Sequence, residues 1–296
     1  MRFVLGGASG YLGTALRDHL ARGGHDVVRL VRGDARSRSE STWDAYQGQV
    51  DSAVLASADV VVNLSGATIG RPWTRSYRRT ILDSRVKSTS TLANAIAALD
   101  AKPTFLSQTG MNFYGDDRGD EVLTEDSASG GGFLGGVVTP WEGSTRVAAE
   151  SGARVCLMRS GVVLGPGGGT LRTLQIPFRL GVGGRLGDGT QYFSSISLHD
   201  WVRAVDFLAT TDSASGPFNL TAPQPPTNAE LTQELGRQLH RPTVLPVPAF
   251  VLKTALGELS GLLLGSLRGH PRRLLDSGFH FDHPDISAIL RSALHG

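Results

Sequence analysis

The sequence has few cysteines and few lysines: one cysteine and three lysines in 296 residues. The single cysteine, Cys156, excludes an internal disulfide and a zinc site built from cysteines. Its surroundings, RVCLMRSGVVL, predict a buried strand, so we expect an unreactive thiol in the core. The lysines are Lys87, Lys102 and Lys253, and arginine therefore carries nearly all of the positive charge.

Long apolar runs and runs of like charge are also missing. The net charge is only +2 and no basic stripe is visible, so we expect no nucleic-acid partner. The most apolar segment, FVLKTALGELSGLLLGSL, carries Lys253 and Glu258 and predicts a buried or amphipathic helix, not a membrane span. The chain opens directly on a predicted strand, so we expect no signal peptide and a cytoplasmic protein. Metal-binding motifs such as HExxH or an EF-hand loop are absent, and we expect no metal.

Short apolar segments alternate with longer helical patterns in residues 1–165. The predicted strands are RFVL (2–5), DVVRLV (26–31), DVVVNL (59–64), TFLS (104–107) and RVCLMRS (154–160). This alternation predicts an α/β fold, a doubly wound parallel sheet covered by helices on both faces. Val-rich strands without strict alternation agree with burial on both sides.

Two glycine-rich segments interrupt this rhythm. SASGGGFLGG (127–136) contains too many glycines for a stable element and predicts a mobile loop. Residues 165–191 are also rich in glycine around an apolar helical patch, and they predict the passage into a second, smaller region. Farther along, a capped helix is expected to begin near Thr227 or Asn228.

The opening RFVLGGASGYLGTAL places Gly7, Gly10 and Gly13 between a predicted strand and a predicted helix. In a dinucleotide-binding turn, the first glycine permits the tight turn, the second admits the pyrophosphate and the third lets the helix pack on the sheet. The phosphates would bind the free amides of the first helical turn, which includes Tyr11 and Leu12. The alternative is a glycine-rich turn without a ligand.

The end of the second predicted strand bears on the choice between NAD and NADP. NAD enzymes of this architecture usually carry an acidic residue there for the ribose 2′-hydroxyl. This chain has Arg32, followed by Arg36 and Arg38, and a guanidinium can pair with a 2′-phosphate through two hydrogen bonds. The pattern favours NADP. Asp34 is an alternative ligand for the ribose, and a solvated arginine loop is the alternative without any ligand.

Motifs along the whole chain resemble those of the extended short-chain dehydrogenases/reductases, the nucleotide-sugar epimerase/dehydratase group. They are the glycine turn, VVVNLSGA, FYG, MRSGVVLGPGGG, GDGTQYFSSISLHDW and GPFNLTAP, in that order. RPWT, SRVKST, PWE, PFRLGVGG and the tail LGELSGLLLGSLRGHPRRLLDSGFHFDHPD resemble an atypical branch known as epimerase family proteins. The chain departs from that branch in having Thr109 where serine is usual and Gly6 where threonine is common.

The resemblance implies a Rossmann-type domain that binds NADP over residues 1–165, with a return segment near 192–222. A smaller α/β substrate-binding region would occupy 166–296. Further cofactor contacts implied by position are Leu64, Ser65 and Gly66 after the third predicted strand, Arg85 on the next helix, and Val162 near the nicotinamide. A small-molecule substrate is expected, and analogy with the wider superfamily allows a homodimer.

The catalytic pair of the wider superfamily is missing. There, tyrosine and lysine in YxxxK spacing lie one helical turn apart, and the lysine favours the tyrosinate that takes a proton from substrate. If Glu142 matches the glutamate that commonly follows the lysine, Leu134 and Val138 occupy the tyrosine and lysine positions. None of the five tyrosines has a lysine four residues later.

Substitute catalytic groups have to come from elsewhere. Thr109 could hydrogen-bond a substrate carbonyl or be satisfied locally. Tyr114, in the FYG motif, could line the cleft, pack in the core or act as an acid/base. Glu142 is a candidate base that could instead face solvent or pair with Arg146.

Two functions therefore stay open. One is an NADP-dependent oxidoreductase or epimerase acting on a small polar or nucleotide-sugar-like substrate. The other is a non-catalytic NADPH-binding sensor or regulatory protein.

Overall fold

The computed structural model describes residues 1–295 of the chain. In these residues the strands are β1 (Arg2–Gly6), β2 (Asp26–Val31), β3 (Glu40–Asp44), β4 (Gln49–Val50), β5 (Val60–Asn63), β6 (Thr104–Gly110), β7 (Val122–Leu123), β8 (Val155–Ser160), β9 (Val162–Leu164), β10 (Ser195–Ser197), β11 (Gly216–Leu220) and β12 (Arg268–Gly269). The α-helices are α1 (Tyr11–Arg22), α2 (Ser52–Ala56), α3 (Arg75–Ala97), α4 (Gly132–Gly143), α5 (Arg146–Glu150), α6 (Gly169–Arg179), α7 (Leu198–Thr210), α8 (Asn228–Leu239), α9 (Ala249–Leu256), α10 (Gly261–Leu264), α11 (Arg272–Asp276) and α12 (Ile286–His295). Two 3-10 turns cover Met111–Tyr114 and Gly257–Ser260.

An eight-stranded sheet has the order β11-β8-β6-β5-β1-β2-β3-β4. The pairs β1–β2, β1–β5, β2–β3 and β5–β6 are parallel, and β4 closes the edge antiparallel to β3. All four residues of β5 are buried because the sheet is covered on both faces. The mixed α/β fold with a mostly parallel, Rossmann-like sheet is therefore the predicted fold class.

The five predicted strands are confirmed, to within a few residues at their ends. The sequence did not reveal β3, whose residues ESTWD turn only Ser41 and Trp43 inward. A strand this polar carries little of the apolar signal on which strand prediction depends.

The chain forms two compact units by its internal contacts, and the first comprises residues 1–109, 136–158 and 202–217. Its core lies between the sheet and helices such as α3. The buried members of one cluster there are Val4, Val28, Leu30, Trp43, Leu55, Val61, Leu92, Ala93, Ile96, Phe105, Ala148, Ala153 and Val155. Cys156 is buried in the same unit, and its thiol donates to the Ala214 carbonyl at 3.2 Å.

The second unit comprises residues 110–135, 159–201 and 218–296, of which Gly296 lies outside the described residues. It contains the parallel pairs β9–β10 and β7–β12. Its core is formed by Leu164, Leu171, Phe178, Ala222, Leu231, Leu235, Ile289, Leu290 and Ala293. The predicted capped helix is α8, where Thr227 and Glu230 form a capping box.

Two predictions about local structure are corrected. Residues 127–136 are not wholly a loop, because α4 begins at Gly132. In the first turn of α4, position 135 requires glycine because a Cβ on Gly135 would lie 2.7 Å from the Gly130 carbonyl oxygen. The apolar segment near residue 255 is not one helix, because α9 ends where Gly257 takes a positive φ of 55°.

Within residues 1–295, no helix combines the length and the hydrophobicity that crossing a bilayer requires.

Candidate functional site

The glycine turn joins β1 to α1 in the first unit. Gly7 has a φ of 77°, and a Cβ there would lie 2.7 Å from the carbonyl carbon of Leu64. A Cβ on Gly13 would lie 2.7 Å from the Cα of Ala8. Both positions therefore admit only glycine without rearrangement, one for the turn and the other for the packing of the helix on the turn.

The beginning of α1 is suited to an anion. Gly10 provides no side-chain cap, and the first turn, which includes Tyr11 and Leu12, contains no acidic residue. The amides of a first helical turn have no carbonyl partner within the helix, and the helix dipole makes this end positive. A phosphate placed here would meet donors and no negative side chain.

The segment that follows β5 lies against this turn. The Leu64 amide donates to the Gly6 carbonyl at 2.9 Å, and the Ser65 amide donates to the Asn63 side-chain carbonyl at 3.1 Å. The Ser65 hydroxyl oxygen is buried and has no hydrogen-bond partner in residues 1–295. An unsatisfied hydroxyl beside a positive helix end fits a polar ligand.

The strand order brings the glycine turn and the segment after β5 to the same end of the sheet. β1 lies between β2 and β5, so the chain moves to one side of β1 first and to the other side later. In doubly wound sheets, ligands bind beyond the carboxyl ends of the two strands where this direction reverses. Gly7 and Leu64 follow those two strands.

Arg85 reaches the same segment from α3. Its Nη1 donates to the carbonyls of Ala67 at 2.9 Å and Ile81 at 3.1 Å, and a Cβ on Gly66 would be 3.2 Å from its Cζ. Burial lowers the pKa of Arg85 to about 10, so the guanidinium is charged at neutral pH. None of the ion pairs in residues 1–295 includes Arg85. The site thus holds a positive charge that has no acidic partner among residues 1–295.

Arg32 directly follows β2 and is exposed, without a side-chain hydrogen bond or an ion pair in the described chain. Asp34 is also exposed. The nearby acidic residue Glu40 is already engaged, because its carboxylate accepts from the Arg29 guanidinium at 2.5 Å and the Arg36 amide at 2.7 Å. The exposed cation at this strand end is therefore available to a ligand.

Thr109 lies near the carboxyl end of β6, two residues beyond Ser107, which pairs with Asn63 of β5. Its hydroxyl donates to Glu142 Oε1 at 3.1 Å. The two residues are 2 % and 9 % exposed. Glu142 therefore does not face solvent, and Arg146 makes no ion pair with it. Thr109 and Glu142 form a buried donor–acceptor pair at the carboxyl end of the strands, where Ser65 also follows β5.

Helix α4 carries apolar side chains at the positions assigned to the missing pair. Leu134 and Val138 are both buried, and α4 contains neither tyrosine nor lysine. A tyrosinate stabilised by lysine on this helix is therefore excluded.

Tyr114 and Val162 belong to the second unit. Tyr114 is 0 % exposed; its hydroxyl donates to Asn219 Oδ1 at 2.8 Å and accepts from Arg159 at 3.0 Å. Burial raises the pKa of Tyr114, which disfavours the tyrosinate. Val162 is half-buried at the beginning of β9, where its amide donates to the Ser194 carbonyl.

The second unit also contains a cluster of histidines and aspartates. His199 Nε2 lies 2.7 Å from Asp282 Oδ2, and the fully buried Asp200 accepts the backbone amides of Asp282 and His283. His199, Asp200 and Asp282 bring potential ligand atoms within 4.8 Å of one another. The backbone hydrogen bonds indicate a clamp that attaches the segment before α12 to the first turn of α7.

Three side chains that support the site were not singled out from the sequence. The Trp141 indole donates to Thr89 Oγ1 at 2.9 Å, and the side-chain amide of Asn63 donates to the same oxygen at 3.0 Å. The Trp141 ring also lies under the Arg85 guanidinium, 5.1 Å from ring centroid to Cζ. The PWE motif marked Trp141, but only the packing of α3 on α4 connects it to Arg85.

Comparisons with known proteins agree with this geometry. The family model described as the NAD dependent epimerase/dehydratase family matches residues 3–220, and a domain of unknown function (DUF1731) matches residues 247–293. The epimerase family protein Mb2239 of Mycobacterium bovis is 41% identical over 97% of this chain and 95% of its own length. The mouse epimerase family protein SDR39U1 is 35% identical over 99% of this chain and 100% of its own length.

Solved structures give the same result. A crystal structure of human epimerase family protein SDR39U1 with NADPH has a TM-score of 0.90 at 33% identity and covers 99% of both chains. A nucleoside-diphosphate sugar epimerase from Corynebacterium glutamicum has a TM-score of 0.84 at 34% identity, over 99% of this chain and 58% of that chain. The chain therefore belongs to the NAD-dependent epimerase/dehydratase family, in the form that carries a DUF1731 domain at its C-terminal end.

Proposed function

We propose that this protein binds NADP(H) and transfers hydride to or from a small polar or nucleotide-sugar-like substrate, as an oxidoreductase or epimerase. The observation that carries the proposal is the group of residues at the carboxyl ends of β1 and β5. It combines a glycine turn that no Cβ would fit, the orphan hydroxyl of Ser65 and the unpaired charge of Arg85. These groups fit a dinucleotide diphosphate.

Arg32 supports NADP over NAD. It is exposed where an NAD enzyme would present a carboxylate, and the neighbouring Glu40 is bound to Arg29. The human relative, 33% identical, was solved with NADPH. The Arg32 guanidinium would pair with the 2′-phosphate, which is absent from NAD.

When bound, the nicotinamide supplies the hydride chemistry, and the protein supplies binding, position and proton transfer. Thr109 would hydrogen-bond the substrate oxygen that changes between hydroxyl and carbonyl. During oxidation the substrate hydroxyl would give its proton to Thr109 Oγ1 while the Thr109 hydroxyl proton passes to Glu142 through the 3.1 Å hydrogen bond between them, and reduction would reverse both transfers. Tyr114 would have to break its bonds to Asn219 and Arg159 to reach a substrate, so we assign Tyr114 a structural role inside the second unit.

A non-catalytic NADPH sensor is the second candidate. It is favoured by Leu134 and Val138, which fill the usual catalytic positions with buried apolar groups, and by the near-complete burial of Thr109. Such a protein would bind the reduced cofactor and respond through conformation alone.

Calorimetry with NADPH and NADH tests the cofactor. We expect NADPH to bind more tightly, and Arg32→Asp to weaken NADPH by about tenfold or more while leaving NADH unaffected. Arg22→Asp is the matched control, since Arg22 is an exposed arginine in the last turn of α1. Equal affinities in the unmodified protein would contradict the role of Arg32, and no affinity for either cofactor would overturn the proposed function.

Stereospecifically deuterated NADPH tests turnover. The full chain is incubated with the labelled cofactor and a panel of carbonyl compounds, including nucleotide keto-sugars. Loss of deuterium to one of them supports the enzyme. Retention of the label across the panel, with NADPH binding intact, favours the sensor.

A further inference from the structure

The helix that lacks the tyrosine and lysine, α4, places an aromatic ring against Arg85. Trp141 lies three residues after Val138, the position assigned to the absent lysine, and it is buried. Its ring faces the guanidinium of Arg85, 5.1 Å from centroid to Cζ. A cation within about 6 Å of an indole face is attracted by the ring quadrupole, more strongly when water is excluded.

The indole is itself fixed. Trp141 Nε1 donates to Thr89 Oγ1 at 2.9 Å, and Thr89 is completely buried. The same oxygen accepts from Asn63, whose side-chain carbonyl accepts the Ser65 amide. One chain of hydrogen bonds therefore orients both the ring under Arg85 and the segment after β5.

Arg85 is held on its other side by the same segment. Its Nη1 donates to the Ala67 carbonyl, and its Cζ would lie 3.2 Å from a Cβ on Gly66. Ala67 is also fixed to α3, because its amide donates to the Ser84 hydroxyl at 3.0 Å. The guanidinium thus lies between an indole and a backbone segment that begins beside Gly7.

A half-buried guanidinium without an acidic partner is costly unless a ligand provides negative charge. The protein offers Arg85 two carbonyls and an aromatic face, and none of these carries a full negative charge. The remaining donors of the guanidinium can serve anionic or hydroxyl oxygens of a ligand that extends from the glycine turn.

We propose that Trp141 is a positioning residue for cofactor binding: its ring, fixed by Thr89, holds the Arg85 guanidinium in place for the bound dinucleotide. This inference rests on the proposed binding of NADP(H) and adds to it the residue that orients the Arg85 charge.

A double-mutant cycle in the full chain, read by calorimetry with NADPH, tests the assignment. Arg85→Met removes the charge, and Trp141→Leu removes the aromatic face. We expect each to weaken NADPH binding by about tenfold, and the double variant to bind no more weakly than Arg85→Met alone. A purely structural tryptophan would give losses that add.

Trp141→Phe keeps a smaller ring under Arg85 and should recover part of the affinity lost in Trp141→Leu. Trp201→Phe is the matched control: Trp201 is a buried tryptophan of the second unit, and its indole donates to the Ser160 hydroxyl at 2.9 Å. It should leave the affinity for NADPH unchanged. If Trp141→Leu fails to fold, the cycle is run with Trp141→Phe, and thermal melting checks each variant.

The outcomes separate the two proposals. NADPH binding in the unmodified protein, with coupled losses at Arg85 and Trp141, supports the inference. Binding that is unaffected by Trp141→Phe and Trp141→Leu, or additive losses, overturns it and leaves the cofactor proposal standing. If the unmodified protein binds no NADPH, the cofactor proposal fails and this inference fails with it.

Discussion

The hydroxyl of Thr109 donates a hydrogen bond to the carboxylate of Glu142 across 33 residues of sequence. The pair is buried, so the carboxylate draws part of its stabilisation from a side chain instead of from water. This relationship has consequences for stability and for chemistry, and the two can be measured separately.

Thr109→Val is expected to destabilise the fold by about 1–3 kcal/mol, because it removes a donor from a buried carboxylate without removing the carboxylate. Urea unfolding at neutral pH measures the change. Thr109→Ser keeps the hydroxyl and loses only a methyl group, so its cost should stay near about 1 kcal/mol. Equal costs for the two variants would show that the hydroxyl contributes nothing.

Glu142→Gln is expected to abolish deuterium transfer from labelled NADPH while leaving NADPH affinity unchanged. The amide still offers an oxygen to the Thr109 hydroxyl, but it cannot take up the proton that this hydroxyl passes on. Calorimetry and the label assay are run on the same preparation. Undiminished label transfer in this variant would assign proton transfer to another group.

Gly7→Ala should weaken NADPH binding strongly and destabilise the protein. Its positive φ costs an L-residue about 1–2 kcal/mol, and the Cβ would in addition press on the Leu64 carbonyl. Gly24→Ala is the control, because Gly24 has the same φ of 77° and open space around its Cβ. Gly24→Ala should lower the free energy of unfolding only by the cost of the positive φ, and it should leave the affinity for NADPH unchanged. Similar affinity losses in both variants would point to general destabilisation.

The stability of the second unit should depend on pH through Glu125. Burial raises the pKa of this carboxyl, and one of its oxygens has no hydrogen-bond partner in residues 1–295. A carboxyl whose pKa is raised by folding holds its proton more tightly in the folded state, so its ionisation destabilises the fold as pH rises past the unfolded value.

Glu125→Gln should therefore stabilise the protein more at about pH 8 than at about pH 5, measured as the difference in urea midpoint from the unmodified protein. The side-chain oxygen of the introduced glutamine can still accept a hydrogen bond from the Asn219 backbone amide, as the Glu125 carboxylate does at 2.9 Å. A benefit that grows toward acid pH would reverse the sign of the argument.

Cys156 should resist thiol reagents until the protein unfolds. Burial raises the pKa of the thiol to about 11, and the thiol is completely enclosed. The thiolate is the reactive form, so neither access nor ionisation favours reaction. Labelling with a chromogenic disulfide along a urea series should follow the unfolding transition. Rapid labelling in the absence of urea would contradict the buried position.

The sequence predicted the features that depend on neighbouring residues. The strand residues 26–31, the glycine turn and the capped start of the helix near Thr227 are each encoded within a few consecutive positions. The polar strand β3 and the start of α4 at Gly132 were missed because tertiary contacts override a weak or unfavourable local signal there.

The partners of the site residues could not be predicted in the same way. Arg85 and Trp141 are 56 residues apart, and their contact depends on how α3 packs against α4. From the sequence, Glu142 is a candidate base that could also face solvent or pair with Arg146, one helical turn away, because a linear pattern reveals only neighbours on a helix. The carboxylate is buried instead and bonds to a residue of β6.

The clamp at Asp200 bears on how the second unit folds. Its carboxylate is satisfied by backbone amides 82 and 83 residues farther along the chain. Closing so long a loop costs chain entropy before the hydrogen bonds to Asp200 can offset it, and such long-range contacts slow folding. The segment before α12 is therefore attached through contacts between distant parts of the sequence, which raise the contact order of the second unit.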